Sequence, residues 1–249
     1  LVFDPNATSA DAQLVLGQPN FTSAAANAGG AGPSTMQAPA GVFSDGKSLW
    51  VADTGNHRVL VWKTFPTSSG QAADLVIGQT SFSATLPNQG ASAASASSLL
   101  FPSSIDVVGG VTYVADTGNN RVVFFSTAPA SSGPSADGVL GQADLVSRTA
   151  AVSAGDASHS AGPVAVVDDG ENLYVTDRDL GRVLVYAIGT LATSAPASFV
   201  VGPAGGLTLR APAGLAVERT PFFTSRLYIA DTGDNQLAVT QSVSRLASP

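Results

Sequence analysis

The sequence predicts an all-β fold, a β-propeller of four-stranded antiparallel blades forming a single domain over residues 1–249. Two observations predict it. One run of residues recurs four times along the chain, preceded each time by a proline landmark and followed by a second landmark after the first three copies. The apolar segments within each recurrence are too short for helices, and they are rich in β-branched and aromatic residues bounded by Gly, Pro, Asn or Asp.

The recurring run is Val51-Ala-Asp-Thr-Gly-Asn-His-Arg-Val-Leu-Val-Trp62, then Val114-Ala-Asp-Thr-Gly-Asn-Asn-Arg-Val-Val-Phe-Phe125. A third copy is Val175-Thr-Asp-Arg-Asp-Leu-Gly-Arg-Val-Leu-Val-Tyr186. The most divergent is Ile229-Ala-Asp-Thr-Gly-Asp-Asn-Gln-Leu-Ala-Val-Thr240. A proline opening a short apolar run precedes each copy: Pro39, Pro102, Pro163 and Pro212. The first three stand 14 residues before their aspartate and the fourth 19, which implies an insertion around Thr220 to Ser225. After the first three copies comes Ala73-Asp-Leu-Val-Ile-Gly-Gln79, Ala136-Asp-Gly-Val-Leu-Gly-Gln142 or Ala197-Ser-Phe-Val-Val-Gly202.

Each period thus holds four strands. The first follows the proline, the second leads into the aspartate, the third follows the Asp-Thr-Gly-Asn turn, and the fourth is the Leu-Val-Ile segment. In that turn, glycine is expected to supply positive φ, with Asp and Asn bonding the turn backbone. Four short strands per repeat is the propeller pattern, because one small sheet buries its faces only by stacking on its neighbours. The blades fall at 38–79, 100–142, 161–202 and 211–240.

Residues 1–18 carry a third strand at Leu1-Val-Phe3 and a fourth at Asp11 to Gln18. The last blade ends after its third strand. The expectation is therefore that 11–18 completes the blade at 211–240, with Leu14-Val-Leu16 antiparallel to Leu237-Ala-Val239 and Leu1 to Phe3 displaced. Four blades then close one ring. The alternative is that the chain is part of a larger ring.

The Val-Ala-Asp-Thr-Gly-Asn-x-Arg-Val run resembles the NHL repeat. The Leu-Val-Leu-Gly-Gln segment resembles bacterial NHL proteins with long repeats. That resemblance implies a propeller over nearly the whole chain. Some propellers related to that family are metal-dependent, such as peptidyl-hydroxyglycine amidating lyases and calcium-dependent lactonase-like enzymes.

Composition narrows the chemistry. The chain has no Cys, so disulfides, thiol nucleophiles and Cys-type zinc sites are absent. Two His, His57 and His159, exclude a His-rich metal site. A formal charge of −7 with 11 basic residues argues against a nucleic-acid surface. No apolar run reaches the length of a membrane span.

The aligned Asp53, Asp116, Asp177 and Asp231 are expected to fix turns, paired with Arg58, Arg121 and Arg182 across the hairpin. Asp168, Asp169, Asp177 and Asp179 form the densest acidic cluster and are a candidate for calcium, a cation that takes several oxygen ligands. The Asp168-Asp-Gly170 run also reads as a hairpin turn. His57 is expected in an exposed turn, because Asn120 takes its place in the second copy. Trp62, Phe125 and Tyr186, and Trp50, Tyr113, Tyr174 and Tyr228, read as inter-blade core columns. Phe21 and Phe82 read as anchors for the long loops 19–37 and 80–98. A third long loop spans 143–160. Asn6 and Asn20 fit a glycosylation triplet.

No catalytic, cofactor or metal residues are assigned. The expected function is a non-catalytic binding or scaffold module, extracellular or periplasmic, engaging a protein or glycan through loop edges or the channel mouth. The chain would be a monomer or an edge-mediated oligomer. The alternative is a metal-dependent lyase or lactonase-like enzyme.

Overall fold

A computed structural model describes residues 2–3, 12–203, 207–218 and 226–241. Among these the fold is all-β, with helical turns of three or four residues only. Strands β3 (Val42–Ser44), β4 (Leu49–Asp53), β5 (Arg58–Trp62) and β6 (Leu75–Ile77) form the first complete blade. The second comprises β7 (Pro102–Val108), β8 (Val111–Asp116), β9 (Arg121–Phe125) and β10 (Gly138–Leu140). The third comprises β11 (Pro163–Asp168), β12 (Asn172–Asp177), β13 (Arg182–Ala187) and β14 (Phe199–Val201). Strands β15 (Pro212–Glu218), β16 (Arg226–Asp231) and β17 (Gln236–Gln241) form a three-stranded sheet. All pairings are antiparallel meanders in which each aspartate faces its partner across the turn, as in Asp53 opposite Arg58 and Asp116 opposite Arg121.

Pro102, Pro163 and Pro212 open the innermost strands, and each sits at a register shift. A proline there forfeits no ladder hydrogen bond, since it lies at a strand start beside a bulge. Pro39 stands just ahead of β3. The inner strands β3, β7, β11 and β15 pack in sequence and line one cavity of about 370 Å³.

The N-terminal closure expected from the sequence is corrected. Strand β2 (Ala12–Leu14) pairs with β1 (Val2–Phe3), Val2 opposite Leu14, and not with β17. No fourth strand lies beside β17 among the described residues. The reason is visible in the repeat. A third strand is followed by its own fourth strand, and β1–β2 keeps that rule. Gly17 has φ +80, and a Cβ there would lie 2.9 Å from Met36, just as one on Gly78 would meet Leu99 at 2.6 Å. The pair β1–β2 thus takes the places of a third and a fourth strand, and Leu16 just after it packs with Met36 and Val51 of the first blade's core. The expected insertion at 220–225 lies outside the described residues.

Apolar side chains alternate between the two faces of each sheet, so each blade buries one set against each neighbour. Trp50, Val59, Val61 and Ile77 of the first blade pack with Ile105, Val114, Val123 and Phe125 of the second. Tyr113, Val122 and Leu140 of the second pack with Leu173, Leu184 and Tyr186 of the third. Tyr174, Val183 and Val185 pack with Leu227 and Ile229. The aromatic columns are core, as expected, with Trp62 and Tyr174 fully buried. Tyr228, in the last sheet, is half-buried and donates its hydroxyl to Glu218 at 2.9 Å.

The outer strands β2, β6 and β10 are also covered at their edges. The N–H of Val15 donates to Ser69 Oγ, that of Val76 to Ser132 Oγ, and that of Val139 to Thr193 Oγ1. Reciprocally, the N–H groups of Gly70, Gly133 and Ser194 donate to the carbonyls of Val15, Val76 and Val139. A loop of the following blade therefore takes the place of a fifth strand, which blocks the edge pairing an exposed strand invites.

Candidate functional site: the loop face and channel mouth

One end of the blades carries the Asp-Thr-Gly-Asn turns, the starts of the inner strands and the long loops. Its framework is a repeated buried ion pair. Arg58 Nε donates to Asp53 Oδ2, and Arg121 Nε to Asp116 Oδ2, each at 2.7 Å with both side chains fully buried. Asp177 and Arg182 repeat it at 2.7 Å. The other oxygen of each carboxylate accepts a main-chain N–H ahead of the inner strand: Gln37, Leu100 or Ala161. Asn56 and Asn119 add a further donor in the first two blades. Burial alone would raise such carboxyls, and Asp177 is pushed up to about 6 by desolvation despite the adjoining guanidinium. The expected turn-fixing role of these aspartates is thus observed.

The same arginines organise the loops. Arg58 donates to the carbonyls of Gly32, Thr35 and Phe82. Arg121 donates to those of Ser95, Ser98 and Leu145. Arg182 reaches Ala154, Asp156 and His159. One guanidinium therefore ties the loop before its blade, and in the first two blades also the loop after, to a fully buried hairpin ion pair. The Gly-Gln landmark adds a second tie. Gln79 Nε2 donates to the carbonyls of His57 and Leu86, and Gln142 Nε2 to those of Asn120 and Thr149.

The turn glycine has a different role from the expected one. The left-handed residue is the last of the turn: His57 (φ +55), Asn120 (φ +52) and Gly181 (φ +59). Gly55 and Gly118 are required by close approach instead. A Cβ on Gly118 would sit 2.4 Å from Leu100 Cγ and 2.7 Å from Leu100 O. In the third blade Asp179 takes that position, and the space comes from Gly162 opposite, where a Cβ would meet the Asp179 carboxylate at 2.8 Å.

His57 is a second correction. It is buried, because its ring reaches under the residue that precedes Pro102. Its Nδ1 accepts the N–H of Phe101 at 3.1 Å, and the two rings meet edge to face at 4.4 Å. Burial lowers the His57 pKa, opposed by the Asp53 charge, and an accepting Nδ1 places the proton of the neutral ring on Nε2.

Phe101 was not singled out by the sequence. It is 49% exposed, has φ +50 and stands at the head of an inner strand. The equivalent residue in the first blade is Ala38, with φ +47, and in the third it is Gly162, with φ +74. A bulky side chain thus occupies a strained position that small residues fill elsewhere. Strain of that kind collects at functional sites. The available signal was the residue before each proline, where an aromatic replaces Ala or Gly.

The acidic cluster does not assemble. Asp168 and Asp169 lie at the opposite end of the blade from Asp177 and Asp179. Asp168 Oδ1 accepts the Gly170 N–H, while Asp169 accepts Asn172 N–H and the Tyr174 hydroxyl. Asp177 holds Arg182, and Asp179 pairs with Arg178. Among the described residues no three His, Asp or Glu side chains come together as a metal-binding group. Phe82 packs on the first-blade core as expected, whereas Phe21 is exposed. Asn20 is exposed and caps its own turn, accepting from Thr22 and Ser23, while Asn6 lies outside the described residues.

No described helix is long and apolar enough to cross a membrane. No protein-family profile and no curated protein matches the sequence. The fold is similar to solved structures at low identity. The periplasmic gluconolactonase of Pseudomonas aeruginosa matches at 17% identity and a TM-score of 0.45, over 84% of this chain and 58% of that one. A functionally unknown protein of Desulfotomaculum acetoxidans matches at 16% and 0.46, over 83% and 55%. The glutaminyl cyclase of Myxococcus xanthus matches at 14% and 0.45, over 81% and 72%. The chain thus spans little more than half the length of the first two of these structures. The chain's own four antiparallel sheets are arranged as successive blades of a propeller-like all-β fold.

Proposed function

We propose that this chain is a non-catalytic binding or scaffold propeller that works outside the cytoplasm and engages a protein or glycan through its loop face. The observation that carries this reading is the arginine clamp. Arg58, Arg121 and Arg182 each spend their donors on carbonyls of the long loops while anchored to a buried carboxylate. Loops of that length ordered in advance present a surface without the entropy cost of fixing it on binding. Phe101 supplies an exposed aromatic ring at the head of an inner strand, suited to an apolar side chain or the face of a sugar ring. The absence of Cys and the small polar loops fit an extracytoplasmic setting.

The test is a binding screen of the immobilised chain against purified polysaccharides and extracellular proteins, run beside Phe101→Ala. Saturable binding that the variant loses, with unchanged thermal stability, is the expected result. Stoichiometric calcium or zinc in the purified protein, with turnover of a lactone or peptide substrate, would overturn it.

A further inference from the structure

Two repeat positions break the apolar pattern of the inner strands, and they meet. Asp106 stands opposite Tyr113, in the register position held by Phe43, Val167 and Ala216 in the other sheets. Asp168 stands opposite Leu173, where the second and fourth sheets carry Val107 and Val217 and the first the uncharged Ser44. Tyr113 and Leu173 belong to the same inter-blade core, so both carboxyls point into the contact between the second and third blades. They lie within hydrogen-bonding reach of each other. Asp106 is 6% exposed and Asp168 1%.

The titratable groups facing Asp106 are Asp168 from β11 and Tyr113 from β8. Neither brings positive charge. Asp106 Oδ1 accepts the Val107 N–H at 3.0 Å, and the Asp168 main-chain N–H also acts on the carboxyl and opposes the rise, but Oδ2 is buried and receives no donor. A buried acceptor without a donor is costly, and two buried carboxylates in contact cannot both ionise cheaply. A proton on Oδ2 resolves both problems, because it turns the orphaned oxygen into a donor toward Asp168.

We propose that Asp106 and Asp168 form a proton-sharing latch between the second and third blades, which holds the sheets together while the proton is present and loosens when it leaves. Desolvation first, and the Asp168 charge second, push Asp106 up to about 7. The folded chain therefore retains a proton that the unfolded chain has released. Stability contributed by the latch is full below the ordinary carboxyl range, falls as pH rises, and is gone once pH has passed about 7.

The experiment is a carbon-13 carboxyl titration of the intact chain, with urea denaturation at pH 5 and pH 8 for wild type and Asp106→Asn. The amide of Asn donates to Asp168 without a titratable proton. The aspartate signal with the highest midpoint, above that of Asp177, should titrate near neutrality and vanish in the variant. Wild type should lose at least about tenfold more in its folding constant between the two pH values than the variant does. Equal pH dependence in the two proteins would overturn the proposal, as would an Asp106 signal in the ordinary carboxyl range. Restoration of wild-type stability at pH 8 by calcium chloride would also overturn it, in favour of a cation between the carboxylates. The titration needs only the wild-type chain, so it decides the matter even if the variant does not fold.

Discussion

His57 Nδ1 accepts the main-chain N–H of Phe101 at 3.1 Å, and one blade later Asn120 Oδ1 accepts that of Gly162 at 3.0 Å. The two residues share a left-handed backbone and a single task, which is to satisfy the residue ahead of the next blade's proline. His57→Asn should therefore fold with a stability change within about 0.5 kcal/mol, whereas His57→Ala should lose about 1–3 kcal/mol by orphaning that N–H. Urea denaturation checks both. The lowered pKa of His57 means that the unfolded chain takes up the proton first. The histidine's contribution is full above its ordinary pKa of 6.5 and is lost as pH falls through the lower folded value. His57→Asn should remove that acid-side loss.

Asp116→Ala should be among the most damaging single changes. It leaves the fully buried Arg121 without its carboxylate and Leu100 N–H without an acceptor. About 3–5 kcal/mol is expected from breaking one side of a buried pair. Asp231→Ala should cost less, because its partner across the turn is the neutral Gln236 at 3.2 Å. Equal losses in the two variants would show that the guanidinium is not the deciding partner.

Gly118→Ala tests close approach against backbone freedom. The added Cβ runs into Leu100, including its carbonyl oxygen, and should cost about 1–3 kcal/mol. Gly109→Ala meets nothing within 4 Å but keeps φ +60, so only the left-handed penalty of about 1 kcal/mol applies. Thermal denaturation of the two variants should rank them in that order.

Phe101→Gly should raise the melting temperature slightly, since glycine accepts φ +50 without the penalty a bulky residue carries. If Phe101 is a contact for a partner, the same substitution should weaken binding while improving stability. A variant that loses stability would show that the ring is held for packing on His57 alone.

The strands and the ion pairs were legible because each is stated several times over. Asp53 with Arg58 and Asp116 with Arg121 can be read from one alignment of the chain on itself. The turn glycine was misread because a tight backbone contact from a distant loop, Leu100 against Gly118, leaves no local signal. The pairing of β1 with β2 was open to reading from Gly17 and Gln18, which complete the same Gly-Gln signal as Gly78 and Gln79. Phe101 and Asp106 escaped notice for a shared reason. A repeat draws attention to what recurs, whereas each of these matters as a departure from its equivalents.

The hydroxyl and amide contacts that cover β2, β6 and β10 join residues 54 to 56 positions apart. Each of these three sheets is therefore finished by the segment that emerges next from the ribosome, and its last backbone groups stay unmatched for only about one repeat of synthesis. That gives assembly a direction along the chain. The span of chain that must be searched to complete a sheet is set by the repeat, not by the total length, which keeps loop-closure entropy low for an all-β molecule. It also asks each blade to shelter its predecessor before being sheltered itself, so a translational pause within a blade would leave one unprotected edge rather than many.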